Sequence, residues 1–315
     1  MDKKYILAIE SSCDDTSVAI LDGNTVLSCV TENRNKSLLK YGGVVPELAS
    51  RNHADLINNV FEAAIKEARI SKKNIKYICY TSEPGLVGSL HVGEIFAKSL
   101  GFALDVDVFP INHIHGHIFS PFINENPVYP FLSLIVSGKT SSIFLVKSPT
   151  EIKELVKTVD DAAGEAFDKI GKILGYPYPG GPQIDKNFDE KKTIIKFPYP
   201  QINKDFSFSG IKNRIFSMIN TSKMKNEPID VVAIGSSFMK WLVEVLIKKL
   251  VFFAKEYSVK FVCIGGGVSA NSLFKNEIKK HFSVCKIPAK EYSCDNAAMI
   301  GYYFWLKNFN CFTIK

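Results

Sequence analysis

Two segments of the chain share one pattern of hydrophobic and polar positions: an apolar run, a short polar loop and a second apolar run. They are residues 5–21 (YILAIESSCDDTSVAIL) and residues 131–146 (FLSLIVSGKTSSIFLV). Loops rich in Ser, Thr, Asp and Gly between two apolar runs are typical of β-hairpins. Each segment therefore predicts a hairpin.

A second pattern also occurs twice, each time downstream of one of the hairpins. Residues 76–92 (KYICYTSEPGLVGSLHV) and residues 260–275 (KFVCIGGGVSANSLFK) each read as a short strand, a glycine-containing loop and the start of a helix. This order presents backbone N–H groups to a phosphate at a helix N-terminus. One such loop is a weak signal, whereas two in matching positions indicate a duplicated lobe.

Helices are predicted between these strands. From Leu56 to Ala68 the apolar residues recur with helical period, and the same holds from Phe238 to Leu246. Hairpins followed by alternating helices and strands indicate an α/β fold. The Lys- and Pro-containing stretch at about 186–228 is less regular, and we interpret it as an insertion in the second lobe that faces RNA.

Composition narrows the class of protein. A chain of 315 residues favours two lobes, and 46% hydrophobic with 23% charged residues is ordinary for a globular protein. No apolar run reaches membrane-spanning length, and the first residues lack a signal-peptide pattern. Seven scattered cysteines without a C-x-x-C favour a reducing, cytoplasmic location. The net charge of +7 suits RNA, although codon usage that favours Lys is a strong alternative explanation and the charge alone does not indicate RNA binding.

A pair of histidines supplies the first candidate chemistry. His113 and His117 stand four residues apart, so on a helix they share one face and can chelate a metal ion. The alternative is a pair of hydrogen-bonded surface histidines. Asp295 precedes the last predicted helix, where it is either an N-cap or a third ligand. Two histidines and one carboxylate suit Fe(II) or Zn.

Two further segments carry polar groups that are open to more than one interpretation. Residues 160–175 predict a helix whose Asp161, Glu165 and Asp168 form an acidic stripe. The turn that begins at Gly180 and Gly181 allows a base or ribose to approach the backbone, or is simply tight. The loop 11–16 contacts phosphate or metal, or is only a polar turn.

The sequence resembles the tRNA N6-adenosine threonylcarbamoyltransferase family. The matching stretches follow the family's order over nearly the whole chain. They are 6–16 (ILAIESSCDDT), 42–53 (GGVVPELASRNH), 84–93 (PGLVGSLHVG), 112–117 (NHIHGH), 161–169 (DAAGEAFDK), 178–185 (YPGGPQID), 206–212 (FSFSGIK), 265–271 (GGGVSAN) and 295–300 (DNAAMI).

The resemblance implies two duplicated lobes of the actin-like fold of the acetate/sugar kinase, heat-shock and actin superfamily, with a ligand cleft between them. We expect an N-terminal lobe over 1–125, with a C-terminal helix at 295–315 packed back on it, and a second lobe over 126–294 that carries the 186–228 insertion. The resemblance makes His113, His117 and Asp295 the ligands of one divalent metal, Fe(2+) or alternatively Zn(2+).

The resemblance also implies an activity. The family transfers the threonylcarbamoyl group of threonylcarbamoyl-AMP to N6 of the adenosine beside the anticodon, in tRNAs that read ANN codons. Asp14 is our candidate for orienting the amine or taking its proton. The residues expected to contact the small ligand, or ATP or another adenine nucleotide in its place, are Ile135, Val136, Ser137, Gly138, Lys139, Asp168, Gly181, Asp185 and Asn271.

Partner proteins follow from the resemblance as well. Bacterial relatives work with a smaller paralogous subunit and a P-loop ATPase, and we expect an exposed apolar patch on helix 47–69 to bind the smaller subunit.

One ligand loop departs from the family, because this chain has V-S-G-K-T-S at 136–141 where V-S-G-G-H-T is usual. Lys139 can still meet a phosphate or carboxylate there.

Three other functions remain possible from the residues alone. A small-molecule kinase shares the implied fold, and fold does not fix function. A metalloprotease is disfavoured because no Glu follows His113, as the H-E-x-x-H motif requires. A non-catalytic scaffold subunit is motivated by the altered loop at 136–141.

Overall fold

The computed structural model describes residues 4–33 and 44–309. These residues form two compact units, the first within Met1–Val128 and Pro288–Lys315 and the second within Tyr129–Ile287. The predicted lobes divide the chain at 125 and 294, close to these limits. The assignment of these units as the two functional lobes stays a prediction. Gly42 and Gly43 of the matched stretch 42–53, and the end of the predicted helix 295–315, lie outside the described residues.

In chain order, the described residues contain ten strands and nine α-helices. The strands are β1 (Tyr5–Glu10), β2 (Thr16–Asp22), β3 (Thr25–Glu32), β4 (Ile75–Glu83), β5 (Asp107–Asn112), β6 (Phe131–Val136), β7 (Ser141–Val146), β8 (Ile152–Lys157), β9 (Phe261–Gly265) and β10 (Val284–Lys286). The helices are α1 (Pro46–Ala68), α2 (Val87–Leu104), α3 (His113–Phe119), α4 (Ala163–Ile173), α5 (Gly180–Lys186), α6 (Ser209–Met224), α7 (Val231–Glu256), α8 (Ser272–His281) and α9 (Ala297–Phe309).

The first unit is built on a five-stranded mixed sheet in the order β3-β2-β1-β4-β5. β1 pairs antiparallel with β2 and parallel with β4, and β4 pairs parallel with β5. Leu7 and Ile9 of β1 belong to the core formed with α1 and α2, whereas Ala8 lies against Gly301 of α9. Alternate side chains thus point to opposite covered faces, which explains why β1 is apolar almost throughout.

The second unit repeats this plan with the order β10-β9-β6-β7-β8. β6 pairs antiparallel with β7 and parallel with β9, as β1 does with β2 and β4. The long helix α7 carries much of the core, with Phe238, Leu242 and Leu246 all buried. The two predicted hairpins and the two strand–glycine loop–helix segments are therefore confirmed, and so is the duplicated α/β plan.

Some boundaries in the second unit differ from those predicted. The helix expected over 160–175 begins at Ala163, so Asp161 lies before it and forms ion pairs with Lys169 and Lys212, at 2.6 and 2.9 Å. The predicted acidic stripe is therefore wrong. The 186–228 segment also contains a regular helix, α6, because its isoleucines recur with helical period and face the core.

The apolar patch expected on helix 47–69 is also wrong. Most of the large apolar side chains of α1, which include Leu56, Val60 and Phe61, are buried in the core of the first unit. Exposed apolar side chains occur instead on α2, where Val87 is 70%, Ile95 64% and Phe102 92% exposed. The helical spacing of the apolar residues correctly predicted α1, but the apolar side of this helix faces the core and not the surface.

None of the helices in the described part of the chain is both long enough and apolar enough to cross a membrane.

Candidate functional site

The local sequence around β5 and α3 places the histidine pair. β5 ends at Asn112, whose side-chain oxygen accepts hydrogen bonds from the backbone N–H groups of Ile114 and His115 at 2.9 and 3.2 Å. This cap starts α3 at His113. One helical turn later His117 lies on the same face, with its ring centroid 4.6 Å from that of His113. Both imidazoles are buried, so the surface-histidine alternative is wrong.

The third candidate ligand comes from the segment before α9. The side chain of Asn296 accepts the N–H of Met299 at 3.0 Å, so Asn296 rather than Asp295 caps the helix. The Asp295 carboxylate instead faces the imidazoles. Its Oδ1 lies 3.0 Å from His117 Nε2 and 3.6 Å from His113 Nε2.

A buried carboxylate stands behind His113. Glu10, at the end of β1, is fully buried and its Oε2 lies 3.0 Å from His113 Nδ1. Glu10 also accepts the N–H of Ser12 and the hydroxyl of Thr81. Burial alone would raise the pKa of the Glu10 carboxyl, but the charge and hydrogen bond of His113 outweigh burial and hold that pKa below its ordinary value. The hydrogen bond to Glu10 orients the ring with Nδ1–H toward Glu10 and Nε2 toward Asp295.

These residues fit a divalent metal ion. The ligand atoms of His113, His117 and Asp295 lie within 4.8 Å of one another. The two nitrogen–oxygen distances of 3.0 and 3.6 Å are below roughly 4.2 Å, twice a usual metal–ligand distance. The Nδ1 atom of His117 is buried and has no hydrogen-bond partner among the described residues, whereas its Nε2 atom faces Asp295. The family that the sequence resembles implies a divalent metal, and this group supplies two imidazoles and a carboxylate for one.

The loop between β1 and β2 reaches this group and is held in place by His53 of α1. Ser12 Oγ lies 3.2 Å from His113 Nδ1. Fully buried His53 lies 2.7 Å from Thr16 Oγ1 through Nδ1 and 3.2 Å from the Cys13 carbonyl oxygen through Nε2. Burial lowers the pKa of His53, so the ring is neutral at pH 7, with Nε2–H donating to Cys13 and Nδ1 accepting from Thr16.

Two carboxylates occupy the tip of this loop. Asp14, the candidate for proton transfer, and Asp15 are both partly exposed. Burial, followed by the neighbouring charge of Asp14, raises the pKa of Asp15 to about 7, and Asp295 adds to the effect. Asp15 is therefore only partly ionised near neutral pH. The role of Asp14 in the reaction stays a prediction.

In the second unit, the predicted ligand loop follows β6. Ile135 and Val136 are fully buried strand residues, whereas Gly138 and Lys139 are exposed. The hydroxyl of Ser137 accepts the N–H groups of Lys139 and Thr140 at 3.3 and 3.1 Å. The loop therefore has a defined turn conformation despite its unusual sequence.

Two glycines let other backbone segments lie against this loop. The Gly164 N–H at the start of α4 donates to the Ser137 carbonyl oxygen at 3.1 Å, and a Cβ at Gly164 would lie 2.5 Å from that oxygen. A Cβ at Gly266, in the β9–α8 loop, would lie 2.5 Å from the carbonyl oxygen of Val136. Three chain segments thus meet at the end of β6.

The remaining predicted ligand residues form two side-chain–backbone links nearby in the same unit. Asp168 accepts the N–H of Gly180 at 2.8 Å and also bonds Gly181. Burial raises the pKa of Asp168, and those backbone hydrogen bonds only partly offset it. Asp185 accepts both the N–H and the hydroxyl of Ser272, at 3.1 and 2.5 Å.

Asn271 also has protein partners. Its oxygen caps α8 at the N–H of Phe274, at 2.9 Å, and its amide nitrogen lies 3.1 Å from Met239 Sδ. A carboxylate or amide oxygen keeps further lone pairs when it accepts one hydrogen bond. These residues therefore have structural roles that sequence reasoning did not identify, and their contact with a ligand stays a prediction.

Replacing Gly266 with alanine is expected to destabilise the second unit. Gly266 has φ +85° and ψ 162°, a conformation that is nearly restricted to glycine, and its added Cβ would clash with the Val136 carbonyl. We expect the free energy of unfolding to fall by about 2–4 kcal/mol, measured by urea denaturation. Gly267→Ala is the matched control, because a Cβ there meets nothing within 4 Å. Equal losses in both variants would show that the close approach to Val136 is not what requires glycine.

Comparison with solved structures gives the class of the protein. The crystal structure of full-length HypF in its phosphate- and nucleotide-bound form superposes with a TM-score of 0.65 at 11% identity, covering 98% of this chain and 55% of the HypF chain. Component A of the Acidaminococcus fermentans (R)-2-hydroxyglutaryl-CoA dehydratase superposes with a TM-score of 0.55 at 14% identity, covering 97% and 99%. At such low identity the likeness shows the fold alone. The chain is an α/β protein of the actin-like class that carries a two-histidine, one-carboxylate group.

Sequence comparison then gives the family. The profile of the tRNA N6-adenosine threonylcarbamoyltransferase family matches residues 25–302. A protein of that name from Malacoplasma penetrans is 59% identical over 304 residues, which are 96% of this chain and 99% of the relative. One from Ureaplasma parvum is 45% identical over 96% of this chain and 95% of the relative. The chain belongs to the tRNA N6-adenosine threonylcarbamoyltransferase family, and the resemblance in its motifs is confirmed.

Proposed function

We propose that the protein transfers a threonylcarbamoyl group from threonylcarbamoyl-AMP to N6 of the adenosine beside the anticodon, in tRNAs that read ANN codons. Membership of a family of tRNA-modifying transferases supports the reaction class. The observation that carries the proposal is the convergence of His113, His117 and Asp295 within 4.8 Å, with Glu10 behind His113. We infer a cytoplasmic location, where the tRNA substrate is found.

The reaction is an acyl transfer. The N6 amine attacks the carbamoyl carbon, the bond from that carbon to the phosphate oxygen breaks, and AMP leaves with the bonding electron pair while N6 loses a proton. An exocyclic adenine amine is a weak nucleophile, so positioning and stabilisation of developing negative charge must supply most of the rate enhancement. We assign Asp14, on the loop that His53 holds, to orient the amine or accept its proton.

The metal centre is proposed to be formed by His113, His117 and Asp295, with Fe(2+) as the ion and Zn(2+) as the alternative. When bound, the ion would supply a Lewis acid and a template for oxygen atoms of the threonylcarbamoyl-phosphate portion. Glu10 accepts from Nδ1 of His113 and so favours the tautomer in which Nε2, on the side of Asp295, would be the ligand atom. The short helix α3, capped by Asn112, sets the spacing of the two imidazoles.

The small ligand is assigned to the second unit. Backbone groups of the loop 135–139, the exposed Lys139, and the linked residues Asp168, Gly181, Asp185 and Asn271 are the proposed contacts. Support comes from the close approach of three backbone segments at the end of β6, which holds the loop in place beside the exposed Gly138 and Lys139. The same groups would accept ATP or another adenine nucleotide, and Lys139 would face a phosphate.

The smaller paralogous subunit is proposed to bind the exposed face of α2, and a P-loop ATPase completes the assembly. Val87, Ile95 and Phe102 recur at helical spacing on that face. Ile95→Glu with Phe102→Glu is expected to weaken co-purification by about thirtyfold or more, because buried aromatic and aliphatic anchors dominate interface energies. Affinity purification from cells that express both subunits measures the loss.

The matched control for this surface places the same two changes on the second unit, at exposed Val159 and Ile194. The control is expected to co-purify normally. Assembly that survives the α2 changes would refute this placement of the partner.

The function itself is tested by incubating the protein with threonine, bicarbonate, ATP, the adenylate-forming enzyme, the partner subunits and unmodified tRNA. Digestion to nucleosides and mass analysis should show a threonylcarbamoyl adenosine that is missing when the protein is left out. An unmodified nucleoside profile with the complete mixture would overturn the proposal.

A further inference from the structure

The helix α6 has an unusual charge pattern. The segment 186–228, which contains it, holds nine basic and four acidic residues, a net +5 of the chain's +7. Within α6 and the residue that follows it, Lys212, Arg214, Lys223 and Lys225 are basic and no residue is acidic. Such a helix concentrates positive potential over its length.

Most of these charges lack an acidic partner among the described residues. Lys212 pairs with Asp161 at 2.9 Å. For Arg214, Lys223 and Lys225, the described part of the chain has no carboxylate within 4.0 Å, and all three side chains are exposed. A solvated surface helix ordinarily mixes the two signs, with i,i+4 pairs such as Lys248–Glu244 on the neighbouring α7.

The uncharged residues of α6 suit a nucleic acid, as its basic residues do. Ile211, Ile215 and Ile219 face the core, so the outer face presents the hydroxyl and amide groups of Asn213 and Ser217. Phe216 is 53% exposed on the flank of this face. Basic, amide and hydroxyl side chains contact the sugar–phosphate backbone, and exposed aromatic rings stack on unpaired bases.

The start of α6 lies beside the proposed ligand loop of the same unit. Asp161 bridges the start of α6 to α4 by pairing with both Lys212 and Lys169. α4 in turn touches the loop 135–139 through the bond from the Gly164 N–H to the Ser137 carbonyl. With 16 residues, α6 extends about 24 Å from there, enough to follow several phosphates.

We propose that α6 binds the phosphate backbone of the tRNA substrate with both flanks of its exposed surface, through Arg214 and Lys225 on one flank and Lys223 on the other, where Phe216 stacks on an unpaired base. This inference rests on the proposed function, which makes tRNA the substrate. The mixture of basic, amide, hydroxyl and aromatic groups favours RNA over an acidic protein surface, which would need no exposed ring for stacking.

The test measures tRNA binding as a function of salt, with the full-length protein and its purified partner subunits. Arg214→Gln with Lys223→Gln and Lys225→Gln is expected to weaken binding about tenfold or more. It should also lower the slope of log K against log salt concentration by about one for each lost phosphate contact. Phe216→Ala should weaken binding by about fivefold or more while the slope stays unchanged, because stacking releases no counterions.

The matched control neutralises three exposed lysines elsewhere in the second unit, Lys255, Lys260 and Lys279. It should bind tRNA like the unaltered protein. Unchanged affinity and slope in the α6 triple variant would overturn the inference. A variant that lost only a protein partner would overturn it too, and would point to an acidic protein surface.

The same samples separate this inference from the proposed function. If the unaltered protein binds tRNA in the predicted way but forms no threonylcarbamoyl nucleoside, the reaction is wrong and the surface stands. If the nucleoside forms and the α6 triple variant binds normally, the surface is wrong and the reaction stands. A protein that binds no tRNA overturns both.

Discussion

Replacing His117 with alanine is expected to remove the metal ion and with it the transferase activity. His117 Nε2 lies 3.0 Å from Asp295 Oδ1, so the change deletes one of three converging ligand atoms and leaves the partly buried carboxylate facing the His113 imidazole alone. Metal content should fall from about one ion per chain to a small fraction of that, and the transfer rate by at least about a hundredfold. Elemental analysis of the purified protein and nucleoside mass analysis measure the two effects.

The same helix supplies the control. His115 is half-buried and lies edge-on to the ring of Tyr303, at 5.2 Å, on a different side of α3. His115→Gln should therefore keep the metal and most of the activity.

Asp295→Asn is a second test, because it preserves size and removes only the charge and one oxygen ligand. Full metal content in both His117→Ala and Asp295→Asn would show that the three side chains are not the metal centre.

Much of the fold could be predicted because its signals are local. The hairpins at 5–21 and 131–146 each enclose a polar loop, and the glycine loops fall directly after strands, so each element is specified within about twenty residues. The repetition of the same order then indicates the duplication, which the strand orders of the two sheets confirm. Helix boundaries were less predictable, as at Ala163, since Asp161 has helical spacing but lies before the helix, where it pairs with Lys169 and Lys212.

The direction in which a helix faces was the harder prediction. The period of α1 identifies the helix but not which neighbour covers its apolar side, and the core of the first unit covers it. α2 is predominantly apolar, so its sequence does not show that Phe102 remains exposed. Both features depend on contacts between elements far apart in sequence, which periodicity alone does not contain.

For the candidate site, spacing identified the histidines but not what surrounds them. Asp295 is 178 residues from His117, and the residues alone left it open whether Asp295 was an N-cap or a third ligand. The family resemblance then favoured the ligand. Glu10 and His53 were missed as functional residues. One signal was available for Glu10, because a carboxylate that ends the otherwise apolar strand β1 must find a partner when it is buried. That partner, His113, is 103 residues away and becomes apparent only in the folded chain.

Glu10 therefore gives a prediction that the histidine variants do not. Glu10→Gln keeps the size of the side chain but replaces a charged acceptor of the His113 Nδ1–H with a neutral amide. The imidazole then becomes a weaker and less firmly oriented ligand, and we expect metal affinity to fall by about 10- to 100-fold. Competition with a chelator of known affinity measures this change without depending on turnover.

The outcome distinguishes whether Glu10 orients His113 as a metal ligand or only stabilises the fold. Since the oxygen of Gln at the position of Oε2 can still accept from Thr81 and from the His113 Nδ1–H, and only the Ser12 N–H loses its acceptor at Oε1, activity at saturating metal should return toward that of the unaltered protein. Glu94→Gln is the control, because Glu94 pairs with Lys98 on α2 and lies outside the histidine group. If Glu10→Gln lowers the melting temperature but leaves metal affinity unchanged, Glu10 only stabilises β1. A lowered affinity with activity restored by added metal would instead show that a carboxylate on one strand sets how strongly a histidine on a distant helix binds its ion.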